Sequence, residues 1–189
     1  MRANRKLFVL GVLFALLVGL FVMVFLHERT RLNNEVMDAT VCQLQSNPDA
    51  YRFRLVKVNG RVSRGFEDAT FTDSACPPSI DEAAVWFEYG GRRQTGTMYC
   101  CNVSAEKSRK KPLVVDGYET SLLENAELNK LELHLQTDVA GYAVSAKATV
   151  IGRFFSDQLR VDDRKLWGGY GHMGAFSLLV VQEVVSVEP

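Results

Sequence analysis

The chain has 189 residues, of which 47% are hydrophobic, and it carries 22 basic and 22 acidic side chains. This length fits one domain, and the zero net charge argues against a strongly basic nucleic-acid binder and against an acidic disordered tail. Four cysteines are too few for a small disulfide-rich scaffold but are sufficient for one or two bridges.

The N-terminus carries a long apolar run. Residues 7–26 contain no charged residue, Asn, Gln or Pro, and a helix of that length rises about 30 Å, the hydrocarbon thickness of a bilayer. Arg2, Arg5 and Lys6 precede the run, which places residues 1–6 in the cytoplasm by the positive-inside tendency. The sequence therefore predicts a single transmembrane anchor over residues 7–26 in the bacterial inner membrane, with the C-terminal domain in the periplasm.

A cleaved signal peptide is the alternative to this anchor. Such a peptide has a shorter apolar core and a small-residue cleavage site, whereas His27, Glu28 and Arg29 follow the run here. Residues 27–50 are predicted to be a stalk helix and linker. Asn33 or Asn34 would cap this helix, and it should end before a proline because the preceding residue avoids the α region. Its apolar positions are Val36, Met37, Val41 and Leu44, and the proline is Pro48.

Residues 51–189 are predicted to form a mainly β domain. Apolar and polar residues alternate with period two in several segments, which is typical of half-buried strands. These segments are residues 51–62, 66–72, 84–89, 143–155 and 176–187, with a further strand over 94–101. Leucines at helical spacing predict one helix over residues 121–136. Five or six short strands with one inserted helix favour a small OB-like β-barrel.

The alternation also predicts the barrel core and a bend. Gly60, in the first strand, predicts a bulge or a sharp bend. The inward positions should belong to the following residues: Val56, Val58, Val62, Val85, Phe87, Val150, Phe154, Leu179 and Val181.

Several stretches carry a resemblance to a known group of proteins. They are Asn47-Pro48 with Tyr51, residues 56–62, residues 65–67, Asp73 with Cys76, and residues 169–176. Together they resemble uncharacterised bacterial exported proteins with an OB-like domain, in which an NP-x-x-Y turn leads into a V-x-V-x-G-x-V strand. This resemblance implies the fold and no particular chemistry.

The layout of one anchor and a periplasmic barrel is also similar to the haem chaperone of cytochrome c maturation. That family attaches haem to a His in an H-x-x-x-Y context. The comparable run here begins at His172 and has Phe176 in the place of Tyr. It also leads into a strand instead of closing a tail, so both differences count against haem.

The four cysteines fall into two sets. Cys42 and Cys76 flank the first two strands, and in an oxidising compartment they are predicted to form a disulfide; two buried thiols are the alternative. Cys100 and Cys101 are adjacent, so on a strand their side chains point to opposite faces and suit a shared metal ion poorly. A vicinal disulfide and a pairing of Cys76 with Cys100 both remain open.

A glycine-rich segment is the other candidate site. Gly169, Gly171, His172 and Gly174 predict a ligand loop, because clustered glycines indicate unusual backbone angles or close approach. The alternative is a structural loop in which His172 bonds to the backbone. Trp86, Phe87 and Tyr89 alternate on a strand and could stack bases, but the acidic exported domain argues against nucleic acid.

Known catalytic motifs are missing from the sequence: it has no G-x-S-x-G, H-E-x-x-H or P-loop. The sequence therefore predicts a membrane-anchored periplasmic binding or scaffolding module, not an enzyme, with no cofactor or metal. Its expected partners are the lipid bilayer, through residues 7–26, and an envelope protein. The alternatives are a periplasmic redox or metal/haem carrier using Cys100, Cys101 and His172, and a hydrolase with an unrecognised site.

Overall fold

The computed structural model describes residues 14–24, 34–65, 68–77, 84–95, 108–136, 144–161, 164–174 and 176–188. The chain divides into two units, Met1–Glu35 and Val36–Pro189. Residues 36–50, which the sequence analysis assigned to the stalk, therefore belong to the same unit as the predicted barrel.

The first unit contains a helical stretch over residues 14–24. A helix of that length rises about 16 Å, roughly half the hydrocarbon thickness of a bilayer. Within the part of the chain that the structure describes, no helix has both the length and the apolar character needed to cross a membrane. On this finding the predicted transmembrane helix over residues 7–26 is wrong, and the fold class is corrected to a mainly β protein. Residues 7–13 and 25–26 of that prediction lie outside the described residues.

The second unit begins with a strand where a helix was expected. β1 (Val36–Thr40) is extended, and the helix α1 (Val41–Ser46) starts only after it. Thr40 sets this start, because its Oγ1 accepts a hydrogen bond from the Gln43 backbone N–H at 3.1 Å while its own N–H donates to Gln43 Oε1 at 2.9 Å. This reciprocal pair is a capping box. The predicted end of the helix before Pro48 is confirmed.

The rest of the second unit is rich in strands. In chain order, the elements are α2 (Pro48–Tyr51), β2 (Leu55–Arg64), β3 (Ala69–Thr72), β4 (Ala84–Tyr89), β5 (Val114–Val115), β6 (Tyr118–Glu119), α3 (Ala126–His134), β7 (Val144–Phe155), β8 (Asp157–Val161), β9 (Arg164–Gly168), a 3-10 turn over His172–Gly174, and β10 (Leu178–Glu188). The predicted mainly β character is therefore confirmed. Residues 96–101 of the predicted fourth strand, with Cys100 and Cys101, lie outside the described residues.

Five of these strands close into a ring. β2 pairs with β3, β3 with β4, β4 with β10, β10 with β7, and β7 with β2. The β4–β10 pair is parallel and the other four are antiparallel. With α3 between the third and fourth strands of the ring, this order agrees with an OB-like barrel. β1 adds to the ring from outside, parallel to the first half of β2, where β3 does not reach.

The barrel interior is filled by the side chains that the alternation predicted. All nine predicted core residues are buried. Their register confirms a common face, since Val58 lies opposite Val150, and Phe87 opposite Leu179.

Gly60 serves close packing, and the predicted bulge is wrong. The register of β2 against β7 runs through it without interruption, and a Cβ there would lie 2.7 Å from Cε1 of Phe71. Only glycine allows β2 to pass this ring at the observed distance.

Several elements were not predicted. They are β1, α2 and the strands of the two short hairpins, β5–β6 and β8–β9. Asp116 and Gly117 join β5 to β6 with φ values of 48° and 81°, and positive φ at both central residues is the signature of a type I′ turn. The predicted helix is shorter than expected, because the Asn125 side chain accepts from the Leu128 N–H at 2.8 Å and sets its start at Ala126.

Candidate functional site

The predicted disulfide between Cys42 and Cys76 is confirmed. It joins α1 to the segment after β3, with a Cα–Cα distance of 5.3 Å. A carboxylate oxygen of Asp73 lies within 4.8 Å of both sulfurs, a spacing that also occurs in metal sites. Metal ions bind the thiolate form of cysteine, and both sulfurs are held in the disulfide here. The group formed by Cys42, Asp73 and Cys76 is therefore a structural cross-link and not a metal site in this state.

The predicted ligand loop lies against the outward face of β4. Gly169, Gly171 and Gly174 all have positive φ, at 119°, 68° and 67°, which explains the glycines by backbone conformation. The Gly169 N–H donates to the Gly174 carbonyl at 2.8 Å, so the four predicted residues form one tight loop. His172 is half-buried and begins the 3-10 turn.

Four aromatic residues meet beside this loop, and we call them the aromatic cluster: Phe53, Tyr118, Phe155 and Tyr170. Phe53 stacks on Tyr118 with ring centroids 5.2 Å apart, and both contact Phe155 edge-on at 6.0 and 6.1 Å. Tyr170, between two of the predicted glycines, lies 6.4 Å from Phe155. Its hydroxyl donates to Asp116 Oδ2 at 2.8 Å. Phe155 and Tyr170 are buried, whereas Phe53 and Tyr118 are half-buried at the surface.

Two arginines border the aromatic cluster. The Arg52 guanidinium carbon lies 4.7 Å from the centroid of the Phe53 ring, and that of Arg153 lies 5.1 Å from the Tyr118 ring. These are cation–π distances. Arg153 also donates from Nη1 to the Phe53 carbonyl at 2.6 Å, and burial lowers the pKa of its guanidinium. The cluster thus presents aromatic rings together with positive charge.

The backbone of Phe53 is strained. Its φ is 62°, a left-handed conformation that a bulky residue rarely adopts. Hydrogen bonds on both sides hold it there: its N–H donates to the Phe154 carbonyl at 2.8 Å, and its carbonyl accepts from Arg153. Strain of this kind persists only where the surroundings enforce it, and it is concentrated at functional sites.

A buried carboxylate lies on the same outward face of β4. Glu88 is 1% exposed and accepts hydrogen bonds from the Thr95 N–H at 2.7 Å and the Thr95 hydroxyl at 2.8 Å. Arg109 Nη2 lies 3.2 Å from its Oε1. Burial raises the pKa of the Glu88 carboxyl, and Arg109 opposes this shift. Glu88 therefore fastens both Thr95 and Arg109 to β4.

A second polar group closes the barrel end beneath α3. The Tyr89 hydroxyl donates to Glu132 Oε1 at 2.8 Å, and Arg64 Nη1 donates to the same oxygen at 2.7 Å. Burial, together with the Glu132 carboxylate, raises the pKa of the Tyr89 phenol. The phenol therefore stays protonated and acts as a hydrogen-bond donor, which fits a structural role.

The strand aromatics considered for base stacking do not face solvent. Trp86 and Phe87 are each 1% exposed, and Tyr89 is fully buried. Stacking of single-stranded nucleic acid needs accessible aromatic faces, so these three side chains cannot provide it in this conformation.

Comparison with protein-family models, with curated proteins and with solved structures finds no match for this chain. The two resemblances drawn from the sequence therefore stay predictions. The aromatic cluster was missed by the sequence analysis. One signal could have pointed to it, since Asp116-Gly117 is a hairpin turn signature next to Tyr118. Nothing in the sequence marks Phe53 as left-handed.

Proposed function

We propose that this protein is a binding module of an oxidising compartment, which contacts a protein partner through the exposed edge of the aromatic cluster. The contact surface consists of Phe53 and Tyr118 with Arg52 beside them. Aromatic residues and arginine are enriched at the energetically dominant positions of protein interfaces. The aromatic rings can stack on a partner and make dispersion contacts with it, and the guanidinium group adds a positive charge.

The backbone of Phe53 is the observation that carries the proposal. Glycine or asparagine would occupy φ 62° with less strain. The chain instead holds a phenylalanine there, half-buried, stacked on Tyr118 and fastened through Arg153. A turn over residues 51–54, closed by the bond from the Arg54 N–H to the Tyr51 carbonyl at 2.9 Å, would accommodate glycine at this position. The choice of an aromatic residue there supports a contact made by its side chain.

The disulfide supports the assignment of this protein to an oxidising compartment. Bridges persist where the environment is oxidising, outside the cytoplasm. The bridge joins Cys42 to Cys76, which are 34 positions apart in the sequence, and so closes a long loop.

Site-specific photo-crosslinking tests this function. A benzophenone amino acid replaces Tyr118 in one variant and Leu133, a 67% exposed residue of α3, in a control. The proteins are irradiated in cells of the source organism. We expect a discrete adduct from position 118 and not from 133.

A second variant tests whether the adduct depends on the aromatic cluster. Phe53→Asn keeps a residue that tolerates positive φ but removes the ring, so it should abolish the adduct at position 118 while the circular dichroism spectrum is retained. The same adducts at 118 and 133, or an adduct that persists in the Phe53→Asn variant, would refute the proposed surface.

A further inference from the structure

The Asp73 carboxylate lies beside the Cys42–Cys76 bridge without a positive partner. One of its oxygens is within 4.8 Å of both sulfurs, and among the described residues Asp73 forms no ion pair. None of the three residues belongs to the contact surface proposed above. A carboxylate gains no Coulomb energy from a neutral disulfide, so its position here is explained by another state of the group.

A turn holds the Asp73 carboxylate and the Cys76 sulfur together. Asp73 Oδ1 accepts a hydrogen bond from the Ala75 N–H at 2.9 Å, and the Asp73 carbonyl accepts from the Cys76 N–H at 3.2 Å. The second sulfur comes from α1, across the Cα–Cα distance of 5.3 Å between Cys42 and Cys76. Two separate elements therefore bring three metal-binding side chains to one place.

The bridge is reachable from solvent and lies outside the ring of strands. Cys42, Asp73 and Cys76 are all half-buried, so a reducing dithiol can approach the sulfurs. The ring of five strands contains neither cysteine. Reduction therefore removes a cross-link at the edge of the domain and leaves the strand pairs of the ring in place.

We propose that reduction converts this group into a zinc site, with the thiolates of Cys42 and Cys76 and the carboxylate of Asp73 as ligands. In the reduction, the dithiol of a thiol–disulfide oxidoreductase gives two electrons and two protons to the bridge and itself becomes a disulfide. The zinc ion then displaces the two thiol protons and bonds to both sulfurs. A metal cross-link thus replaces the covalent one, and α1 stays attached in both states.

The donor set selects the metal. Zinc bonds to cysteine sulfur at about 2.3 Å in tetrahedral geometry, which places two sulfurs about 3.8 Å apart. Rotation of the two cysteine side chains provides this separation at the observed Cα–Cα distance of 5.3 Å. Copper(I) prefers sulfur ligands alone, and magnesium and calcium prefer oxygen, so a mixed set of two thiolates and one carboxylate favours zinc. Three protein ligands leave the fourth position open to water.

Cobalt(II), a coloured substitute for zinc, tests the site in the full chain. The parent protein carries Cys100→Ser and Cys101→Ser, so that Cys42 and Cys76 supply the only thiols. It is reduced with a phosphine, which is then removed. We expect cobalt to give thiolate charge-transfer bands and the strong visible bands of four-coordinate cobalt with the reduced protein and not with the oxidised one. Zinc should displace the cobalt and bleach these bands.

Two carboxylate variants separate a metal ligand from a general effect of charge. Asp73→Asn keeps an acceptor for the Ala75 N–H and removes the charged ligand, so it should weaken cobalt binding by about tenfold or more, a loss that even outer-shell partners cause. Asp49→Asn removes the same charge from an exposed position of α2 and is the matched control, which should bind as the parent does.

Alkylation of the reduced parent gives a second measurement that needs no carboxylate variant. Zinc should slow the reaction of Cys42 and Cys76 with iodoacetamide severalfold, and a chelator should restore the rate. The circular dichroism spectrum must stay that of the folded domain throughout, because the site exists only while α1 and the turn are held together. Absence of thiolate bands, equal cobalt affinity of Asp73→Asn and Asp49→Asn, alkylation that zinc leaves unchanged, or loss of the β spectrum on reduction would each overturn the proposal.

Discussion

Removal of the Cys42–Cys76 bridge should destabilise the domain by an amount that follows from the loop it closes. With 34 positions between the two cysteines, the chain-entropy relation gives about 3.8 kcal/mol at room temperature. For a domain of this size that loss lowers the melting temperature by about 8–15 °C. The perturbation is the double variant Cys42→Ser/Cys76→Ser, which leaves no unpaired thiol at this site.

Urea unfolding followed by circular dichroism measures the difference between oxidised wild type and the double variant. The ring of five strands contains neither cysteine, so we expect the variant to retain the β spectrum and to unfold at lower urea. The loss should be largest at the N-terminal end, with faster amide exchange in α1 than in β7 or β10. Equal unfolding midpoints would refute the loop-entropy reasoning, and loss of the β spectrum would refute the independence of the ring.

Three further changes test the core, the close packing and the buried charge. Phe87→Ala should cost about 3–5 kcal/mol in urea unfolding because it empties the barrel interior, whereas Leu133→Ala on the surface should stay within about 0.5 kcal/mol; equal effects would contradict the assigned core. Gly60→Ala should cost about 1–3 kcal/mol, since its Cβ would lie 2.7 Å from both Phe71 Cε1 and the Thr72 carbonyl oxygen, and an unchanged midpoint would contradict this close packing. Burial raises the pKa of the Glu88 carboxyl, so its contribution to stability is full below the unfolded pKa and is lost as pH rises through the folded pKa. The free energy of unfolding of wild type minus that of Glu88→Gln should therefore fall as the pH rises above the ordinary range of a glutamate, and a constant difference would contradict the raised pKa.

The strands could be predicted from the sequence because successive side chains of a strand point to opposite faces, so buried and exposed residues alternate along it. β4 has its predicted bounds, and β2, β7 and β10 overlap the predicted segments closely. The nine predicted core residues of these strands are apolar and buried, so the pattern that identified a strand also identified its buried face.

Hydropathy misassigned the N-terminal region up to residue 40. Val36 and Met37 fit a helical stripe as well as a strand, and the capping box at Thr40 decides for a strand that ends there. β1 exists because the first half of β2 has a free edge beside β3. Such an edge is a property of the assembled sheet, and no local pattern reveals it. The apolar run before residue 27 likewise fits the length rule for a membrane span, but no helix found among the described residues fulfils it.

The sequence by itself determined the mainly β class and the barrel core, because strand alternation can be read directly from the chain. It predicted the Cys42–Cys76 disulfide while leaving other pairings open, and the structure decided among them. Only the tertiary structure decided the aromatic cluster and the packing of Gly171 against Trp86. Phe53, Tyr118, Phe155 and Tyr170 come from four separate segments, and they meet because the ring of strands closes and folds the connections back over its outer face. The contact of Gly171 with the indole follows from that closure. The positive φ of Phe53 belongs to a turn in which the Arg54 N–H donates to the Tyr51 carbonyl at 2.9 Å, and the long-range bond from the Phe53 N–H to Phe154 holds that turn against the barrel.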